Sequence, residues 1–352
     1  MKKVKLGEVC EILSGYAFKS SQFNDKKIGL PLIRIRDVER GFSDTYFEGA
    51  YPEEYLIKNG DLLITMDGSF ILKKWEGDLA LLNQRVCKIK ITDKSVDEGY
   101  LAWLIPKFLK EIEDKTPFVT VKHLSVAKIK DISFVLPNKL EQKLISKRLN
   151  TISQIYDFRK IQSEGLNELV KSRFNEMFGD IFDNPQSKLE DHIELNPNKK
   201  ELQNFNGDVS FLPMSNVSEN GKIDLSINRN IDDVRKGFTF FKDNDVIVAK
   251  ITPCFENGKG APVFGLLNGV GFGSTEFHVL RPKNTVNTVW LYHVTMLSKF
   301  RLEGERKMTG SGGQRRITKD FINNFKLNIP PLSLQNEFAD FVAQVDKSQL
   351  AI

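Results

Sequence analysis

Residues 135–142 read Val-Leu-Pro-Asn-Lys-Leu-Glu-Gln, and residues 328–335 read Asn-Ile-Pro-Pro-Leu-Ser-Leu-Gln. In each stretch a short apolar run ends at a proline, and a helix-like spacing of apolar residues begins directly after it. The two prolines, Pro137 and Pro330, are 193 positions apart. The same change from a strand-like to a helix-like pattern occurs twice, which predicts that the chain is an internal duplication.

Blocks of similar sequence precede both stretches in the same order. Residues 5–8 (Lys-Leu-Gly-Glu) match residues 188–191 (Lys-Leu-Glu-Asp) at an offset of 183, and the turn-strand block at 58–64 matches that at 242–248 at an offset of 184. Offsets that drift along the chain are what loop insertions produce between duplicated domains. We therefore predict two similar β-rich domains and two helical segments: 1–137 and 180–330 for the domains, 138–179 for a helical spacer and 331–352 for a shorter C-terminal helix.

Short runs of Ile, Leu, Val and Phe bounded by Gly, Asn or Asp are typical of strands, and they occur in both halves. The predicted strands are 32–36, 61–65, 86–91, 132–136, 209–212, 245–251, 277–280 and 325–329. Helical patterns lie at 99–113 and 287–302. The sequence therefore predicts an α+β protein with two mixed, β-rich domains that are separated and followed by long helices.

The longest periodic segment runs from Asn138 to Phe178, where apolar residues recur at steps of three and four. Asn138 with Glu141 three residues later forms a capping-box pattern, and Gly179 is a C-terminal stop signal. At about 1.5 Å per residue the helix would be about 60 Å long, which is too long for the body of one small domain. Gly165 lies inside it and favours a bend there.

Composition limits the class of protein. The 352 residues fit two domains, and 51 Lys and Arg against 46 Asp and Glu give a net charge of only +5, so any nucleic-acid surface must be local. Cys10, Cys87 and Cys254 form no C-x-x-C pair, which argues against a zinc cluster or a disulfide framework. The sequence shows no signal peptide and no run of about 18 apolar residues. A cytoplasmic protein without a membrane span is therefore expected.

The sequence offers no pattern that supports catalysis or a metal site. The four histidines form no H-x-x-x-H pair, and no P-loop sequence occurs. The segment from Gly269 to Ser274 is rich in glycine but lacks the surroundings of a dinucleotide-binding loop, so a tight turn is favoured. We therefore predict no catalytic residue and no metal ligand in this chain.

Basic residues are concentrated at equivalent places in the two halves. Residues 115–130 hold four lysines and residues 306–319 hold five Lys or Arg residues, and neither segment contains an acidic residue. Small neighbours such as Thr120 and Gly312 would let the backbone approach phosphate oxygens. Basic residues that lie in solvent-exposed loops and bind no ligand would explain the pattern equally well. The candidate DNA-binding residues, chosen on charge and position, are Lys73, Lys74, Arg85, Lys122, Lys128, Lys130, Lys250, Arg306, Lys307, Arg315 and Arg316.

Two short segments, Asn83-Gln84-Arg85 and Gln314-Arg315-Arg316, carry side chains that can pair with base edges. Inward packing of the same side chains is equally consistent with the sequence.

The order of these segments resembles that of the specificity subunits of type I restriction-modification systems. The most specific pieces are Lys122 to Ser125, Leu136 to Gln142, Gly310 to Ile317 and Ile329 to Gln335, and the resemblance covers essentially the whole chain. It implies two target recognition domains that read the halves of a bipartite DNA sequence, with the helices packed as an antiparallel coiled coil. It also implies a chain without catalytic activity, since S-adenosylmethionine, ATP and Mg would be used by separate methyltransferase and restriction subunits.

One departure from the family concerns the two helices. The second is about half as long as the first, so residues 159–178 have no obvious partner within the chain. Ile161, Leu166, Val170 and Phe174 are then expected to form an exposed apolar stripe that binds another chain. That chain would be a methyltransferase subunit or a second copy of this protein.

Two functions of other classes are also open at this point. A scaffold that does not bind DNA, with two protein-binding β domains on a helical spacer, fits the same pattern. It would show no salt-dependent binding to duplex DNA. A standalone methyltransferase or nuclease would need a catalytic domain, for which two repeats and two helices leave no room in 352 residues.

Overall fold

The computed structural model describes residues 2–116, 122–202, 205–311 and 313–350. The chain forms two compact units, the first of residues 1–158 and the second of residues 159–352. The boundary between them falls inside one long helix.

The first unit is built from short strands joined by turns, with one helix of 18 residues. Its strands are β1 (Lys2–Lys5), β2 (Cys10–Ser14), β3 (Phe23–Asn24), β4 (Leu30–Ile33), β5 (Tyr46–Phe47), β6 (Leu56–Ile57), β7 (Leu62–Thr65), β8 (Leu72–Lys74), β9 (Ala80–Leu82), β10 (Val86–Ile91) and β11 (Ser133–Leu136). Its helices are α1 (Leu6–Val9), α2 (Ile35–Arg40), α3 (Glu98–Lys115) and α4 (Val126–Lys130). The long helix α5 (Lys139–Phe178) follows and continues into the second unit.

The second unit has the same kinds of element. Its strands are β12 (Ser187–Lys188), β13 (Ile193–Leu195), β14 (Asp208–Leu212), β15 (Asn228–Asn230), β16 (Thr239–Lys242), β17 (Val246–Ala249), β18 (Gly260–Pro262), β19 (Val270–Gly273), β20 (Phe277–Pro282) and β21 (Lys326–Leu327). Its helices are α6 (Leu189–His192), α7 (Ile231–Val234), α8 (Thr288–Met296), α9 (Ser298–Arg306), α10 (Lys319–Asn323) and α11 (Leu332–Leu350).

The strands are ordered in the same way in the two units. An antiparallel sheet has the order β2-β10-β7-β8 in the first unit and β13-β20-β17-β18 in the second. Another sheet contains the series β5-β4-β9-β6 or β15-β14-β19-β16, each with one parallel pair at its centre. A small sheet pairs β1 with β11 and β12 with β21. The predicted duplication and the α+β class are therefore confirmed.

A helix packs against each four-stranded antiparallel sheet. In the first unit Leu101 and Ile105 of α3 share a buried core with Ile64 of β7. In the second unit Trp290 of α8 shares a core with Val248 of β17. Removing such apolar side chains from water contributes about 25 cal/mol per Å² and is the main term that holds each unit together.

The ends of α5 are fixed by the residues that the sequence predicts. Asn138 Oδ1 accepts a hydrogen bond from the Glu141 N–H at 3.0 Å, and Glu141 Oε2 accepts one from the Asn138 N–H at 3.1 Å. Gly179 has a φ of +59°, and its N–H donates to the Asn175 carbonyl at 2.9 Å. The helix is continuous through Gly165, so this glycine does not break it.

The predicted strand at 32–36 is wrong for residues 34–36. Strand β4 ends at Ile33, and α2 begins at Ile35. The carboxylate of Asp37 accepts a hydrogen bond from the Arg34 N–H at 3.1 Å. This bond satisfies a free donor at the helix start, which favours a helix over a longer strand.

Gln142 docks the start of α5 onto the first unit. Its side chain is fully buried. Its Oε1 accepts a hydrogen bond from the Asp97 N–H at 2.8 Å, and its Nε2 donates to the Ser95 and Pro137 carbonyls at 3.0 and 2.8 Å. Because Asp97 also caps α3, one amide joins the starts of two helices.

Gln335 repeats this arrangement in the second unit and is also fully buried. Its Oε1 accepts from the Asn287 N–H at 2.8 Å, and its Nε2 donates to the Thr285 and Pro330 carbonyls at 3.1 and 2.8 Å. Asn287 is the cap of α8. The shared glutamine of the two opening stretches therefore has the same structural role in both repeats.

The C-terminal half of α5 has a helical partner within the second unit. The Phe174 ring centroid lies 5.3 Å from that of Phe338, and Gln349 Nε2 donates to Asn167 Oδ1 at 2.9 Å. As numbers rise along α5 they fall along α11, so the two helices run antiparallel.

The predicted partner-binding stripe is therefore wrong in part. Val170 and Phe174 are only 7% and 2% exposed, and Leu166 packs against the same core. They are covered because α11, although short, lies over this half of α5. Ile161 is 62% exposed and is the one residue of the predicted stripe that solvent reaches freely.

Candidate nucleic-acid interface

Three segments of the first unit meet at one edge of the sheet β2-β10-β7-β8. They are the residues after β7, the residue before β10 and the His-Leu-Ser segment that precedes α4. The Met66 N–H donates to the Arg85 carbonyl at 2.9 Å, and the Leu124 N–H donates to the Met66 carbonyl at 2.7 Å. These bonds bring Arg85 and His123 to the same place from positions far apart in sequence.

Charged side chains surround this meeting point. Asp67 lies between two side chains: its Oδ1 is 2.6 Å from Nδ1 of His123, and its Oδ2 is 3.5 Å from Nε of Arg85. The Lys122 ammonium donates to the Glu113 carbonyl at 2.8 Å. We call Asp67, Arg85, Lys122 and His123 the first charged edge.

The second unit has a backbone arrangement of the same kind. The Lys250 N–H donates to the Glu276 carbonyl at 2.8 Å, and the Ile317 N–H donates to the Lys250 carbonyl at 2.9 Å. Residues 250, 276 and 316 therefore occupy the places of 66, 85 and 123 in the first unit. We call Lys250, Glu276, Arg315 and Arg316 the second charged edge.

Arg316 and Glu276 form a two-point ion pair at the second charged edge. Arg316 Nε and Nη2 donate to the two carboxylate oxygens of Glu276 at 2.9 and 3.0 Å. The hydrogen bonds from Arg316 lower the pKa of Glu276, against the opposing effect of burial. Arg315 is less tightly held, at 3.6 Å from Glu256. Arg316 is therefore largely occupied inside the unit, while Arg315 is freer to contact a ligand.

The two charged edges have the same backbone hydrogen bonds but different side chains. Arg85 in the first unit corresponds to Glu276 in the second, and His123 corresponds to Arg316. The sequence analysis named the lysines and arginines of the two edges as candidates but did not name His123, Asp67 or Glu276. The two carboxylates each lie within two residues of a strand of the four-stranded antiparallel sheet, Asp67 after β7 and Glu276 before β20. A charged residue at the end of a predicted strand is the signal that the sequence offers for them.

A further group of charges near the first charged edge was also missed. Asp37 is fully buried and lies 3.4 Å from Nε of Arg34, 3.6 Å from Nε of Arg36 and 3.6 Å from Nη1 of Arg40. In the sequence the alternation of Arg34, Ile35 and Arg36 indicated a strand. The aspartate three residues after Arg34 was the signal for a helix start instead.

The other candidate DNA-binding residues lie outside the two charged edges. Lys74 contacts Glu98 at 2.8 Å, and Lys73 donates to the Glu39 carbonyl at 2.6 Å. Both are on β8, where they lie opposite Leu62 and Leu63 at the start of β7, and Asp67 follows the other end of that strand. They are therefore not brought together with Arg85.

The remaining candidates are on short helices. Lys128 and Lys130 are exposed residues of α4, and Arg306 is exposed at the end of α9. The Lys307 ammonium lies 5.8 Å from the centre of the Phe321 ring. Thr120 and Gly312, named above as phosphate-approach positions, lie outside the described residues.

Within the parts of the chain that the structure describes, no group of three or more His, Cys, Asp or Glu side chains could hold a metal ion. In the same parts, no helix is long and apolar enough to span a membrane.

A sequence-family model described as the type I restriction modification DNA specificity domain matches residues 1–168 and 186–352. The chain belongs to this family. The match includes both repeats, so the resemblance inferred from the sequence motifs is confirmed, and the protein is a specificity subunit of the type I class.

Curated relatives in the family come from bacteria and archaea. The EcoBI specificity subunit of Escherichia coli is 40% identical over 169 residues, which is 48% of this chain and 36% of that protein. The EcoAI subunit of Escherichia coli is 41% identical over 145 residues, or 40% of this chain and 24% of that protein. The MjaVIII subunit of Methanocaldococcus jannaschii is 26% identical over 190 residues, or 49% of this chain and 44% of that protein. The matched part thus spans less than half the length of each of these relatives.

A solved structure supports the fold. The S subunit of the type I restriction-modification system from M. genitalium superposes with a TM-score of 0.57 at 13% identity, and the alignment covers 99% of this chain and 90% of that one. At this identity the likeness concerns the fold alone.

Proposed function

We propose that this specificity subunit reads a bipartite sequence in duplex DNA, one half with each unit, and has no catalytic role of its own. Its partners would be methyltransferase subunits and, through them, restriction subunits in the cytoplasm. S-adenosylmethionine, ATP and Mg²⁺ would be used by those partners. Adenine methylation and cleavage would then take place where this chain directs them.

The observation that carries the proposal is the pair of charged edges. Both units repeat one hydrogen-bonded frame, and at equivalent positions they present different charged and polar side chains. A shared frame with different side chains suits two readers of different short sequences, because base edges are distinguished by the pattern of donors and acceptors that they meet.

Lys122, Lys250 and Arg315 suit contacts to phosphates in this proposal. Such contacts give affinity that depends on salt and not on sequence. With a net charge of +5, nonspecific attraction to DNA is modest. The local arrangement at the edges would therefore decide where the protein binds.

The proposal is tested by co-expressing the chain with the methyltransferase subunit of its own system and mapping methylated adenines in the host DNA by sequencing. We expect one motif made of two short defined halves that are separated by a fixed number of unspecified base pairs. A folded, well-expressed complex that methylates no defined motif would contradict the proposal and favour the scaffold function.

A further inference from the structure

An open depression lies beside the first charged edge, between the start of α2 and the turn that joins β9 to β10. Its volume is about 410 Å³. It is lined by Arg34, Ile35, Arg36, Asn83, Gln84 and Arg85. Segments separated by almost 50 residues in sequence therefore place three arginines and two amides around one concave surface.

One wall of the depression carries a hydrogen-bond acceptor with no donor. Asn83 is only 6% exposed, and its Oδ1 is buried without a hydrogen-bond partner among the described residues. The backbone of Asn83 is fixed, because its N–H donates to the Ile33 carbonyl at 3.2 Å. Gly15 packs against it so closely that a Cβ there would lie 2.0 Å from the Asn83 carbonyl oxygen. Buried polar groups in folded proteins are normally paired, so this unpaired oxygen marks a wall of the depression whose polar groups the unit alone does not satisfy.

The positive charges around the depression are partly balanced by two buried or half-buried carboxylates. Arg34 and Arg36 face the buried carboxylate of Asp37, and Arg85 faces Asp67 at 3.5 Å. Arg40 also contacts Asp37 at 3.6 Å, so four positive charges meet two negative ones. The Arg36 and Arg85 side chains are nevertheless 62% and 58% exposed, so their guanidinium groups keep donors available to a ligand.

A phosphate would be a poor match for this combination. It offers only acceptors, and it would add negative charge beside Asp37, Asp67 and the unpaired oxygen of Asn83. A base pair seen from the major groove offers both donors and acceptors. A guanine–cytosine pair fits the set well, since guanine O6 and N7 accept from an arginine and cytosine N4 donates to an amide oxygen.

We propose that this depression reads a guanine–cytosine pair in the half of the target bound by the first unit, and that Arg85 is its main specificity-determining residue. The inference rests on the proposed function and adds the site and the base pair to it. Arg85 donates to guanine, and the amide oxygen of Gln84, which is exposed, accepts from cytosine N4. Asp67 holds the Arg85 guanidinium in place for this contact.

The second unit shows that the depression is not needed for the fold. Ser274 takes the place of Asn83, since its N–H donates to the Leu212 carbonyl at 3.2 Å as that of Asn83 does to Ile33. In the same frame Thr275 and Glu276 then stand where Gln84 and Arg85 stand in the first unit. The fold is the same in the two units while all three of these side chains differ, as expected for residues that determine which DNA sequence is bound.

The test uses the complex with the methyltransferase subunit and compares methylated motifs of the wild type and Arg85→Ala. We expect the variant to lose the preference for one guanine–cytosine pair in one half of the motif, by about 10- to 100-fold in discrimination. The other half of the motif should be unchanged. Gln84→Ala should weaken the preference at the same or the adjacent pair.

Lys90→Ala is the matched control. Lys90 is on the same strand, β10, is 71% exposed and faces one carboxylate, Glu11, at 3.7 Å. Its removal should leave the motif unchanged. A thermal melt of each variant establishes that the fold is retained.

Two results would overturn the inference and separate it from the proposed function. If Arg85→Ala reduces methylation equally at all sites while the motif stays the same, Arg85 contacts phosphate and the depression reads no base. If the wild type itself yields no motif, the proposed function fails, and the site assignment fails with it.

Discussion

At the second charged edge, the side chain of His278 is 5% exposed and held by two neighbours. Its Nε2 lies 3.2 Å from the Ile317 carbonyl, and its Nδ1 lies 3.2 Å from Nδ2 of Asn196. An amide N–H donor facing Nδ1 fits a neutral ring with its proton on Nε2. Burial is the main cause that lowers the pKa of His278 to about 4, and nearby Lys250 adds to it.

This histidine makes the second unit sensitive to acid. Because the folded pKa is about 4 and the usual value is 6.5, the unfolded chain takes up the proton first, and stability falls as the pH drops from about 6.5 to 4. The loss from His278 alone can reach about 3 kcal/mol. Burial lowers the pKa of His293 to about 4 as well, so His278→Gln should remove about half of the effect.

Urea denaturation at several pH values between 7 and 4.5 measures this dependence. The wild type should lose stability steadily over the range, and the His278→Gln variant should lose less. Equal slopes for the two proteins would show that folding does not lower the pKa of His278.

Some residue-scale features could be predicted and others could not. Asn138, Glu141 and Gly179 act through neighbours in sequence, so their capping roles were visible before the structure. Asp67 and Arg85 meet only because strands bring them together, and no local pattern encodes such a pair.

At the scale of elements, the start of each long helix is docked onto its unit by one buried amide. Gln142 and Gln335 satisfy a helix-cap N–H and two carbonyl groups that would otherwise be unpaired in the interior. The sequence showed the repeated glutamine but not its function, because two of the three groups that it binds lie about 50 residues away in the chain.

Gln335→Leu should destabilise the second unit by about 3 kcal/mol, because it leaves the Asn287 N–H and two carbonyls without partners at similar side-chain size. Gln344→Leu is the control, since Gln344 is an exposed residue of the same helix. The free energies of unfolding from urea denaturation give the comparison. Similar values for the two variants would contradict the docking role of Gln335.

Residues 34–36 were predicted as part of a strand, but they lead into α2. A run such as Arg34-Ile35-Arg36 has the period of a strand, and only the carboxylate of Asp37, folded back onto the Arg34 N–H, turns it into a helix start. Strand and helix patterns of this length differ by one capping bond, which explains why period alone gave the wrong element.

At the scale of the whole molecule, the duplication and the antiparallel pairing of the two long helices were predicted correctly, but the part of α5 that is paired was not. The repeat of strand order follows from repeated motifs, so the sequence contained it. The expectation that residues 159–178 lack a partner came from comparing helix lengths. The structure instead pairs α11 with this half of α5, because antiparallel packing matches the end of one helix to the start of the other.

The middle of α5 is left with solvent on nearly all sides. Between residues 150 and 165 every side chain is exposed except those of Ser153 and Ser163, which are half-buried. A helical stretch without packed neighbours depends on its own propensity, which is marginal for about 15 residues and is lowered further by Gly165.

Transient fraying should therefore make this segment the weakest regular element towards proteases. Brief digestion with trypsin should cut first, among helices and strands, at Arg159 or Lys160, as read by intact mass spectrometry. An early cut within α3 or α8, with α5 intact, would contradict this expectation. If the cut is found there, a single nick divides the chain into two fragments with one unit each, and, under the proposed function, DNA binding by each fragment could be assayed separately.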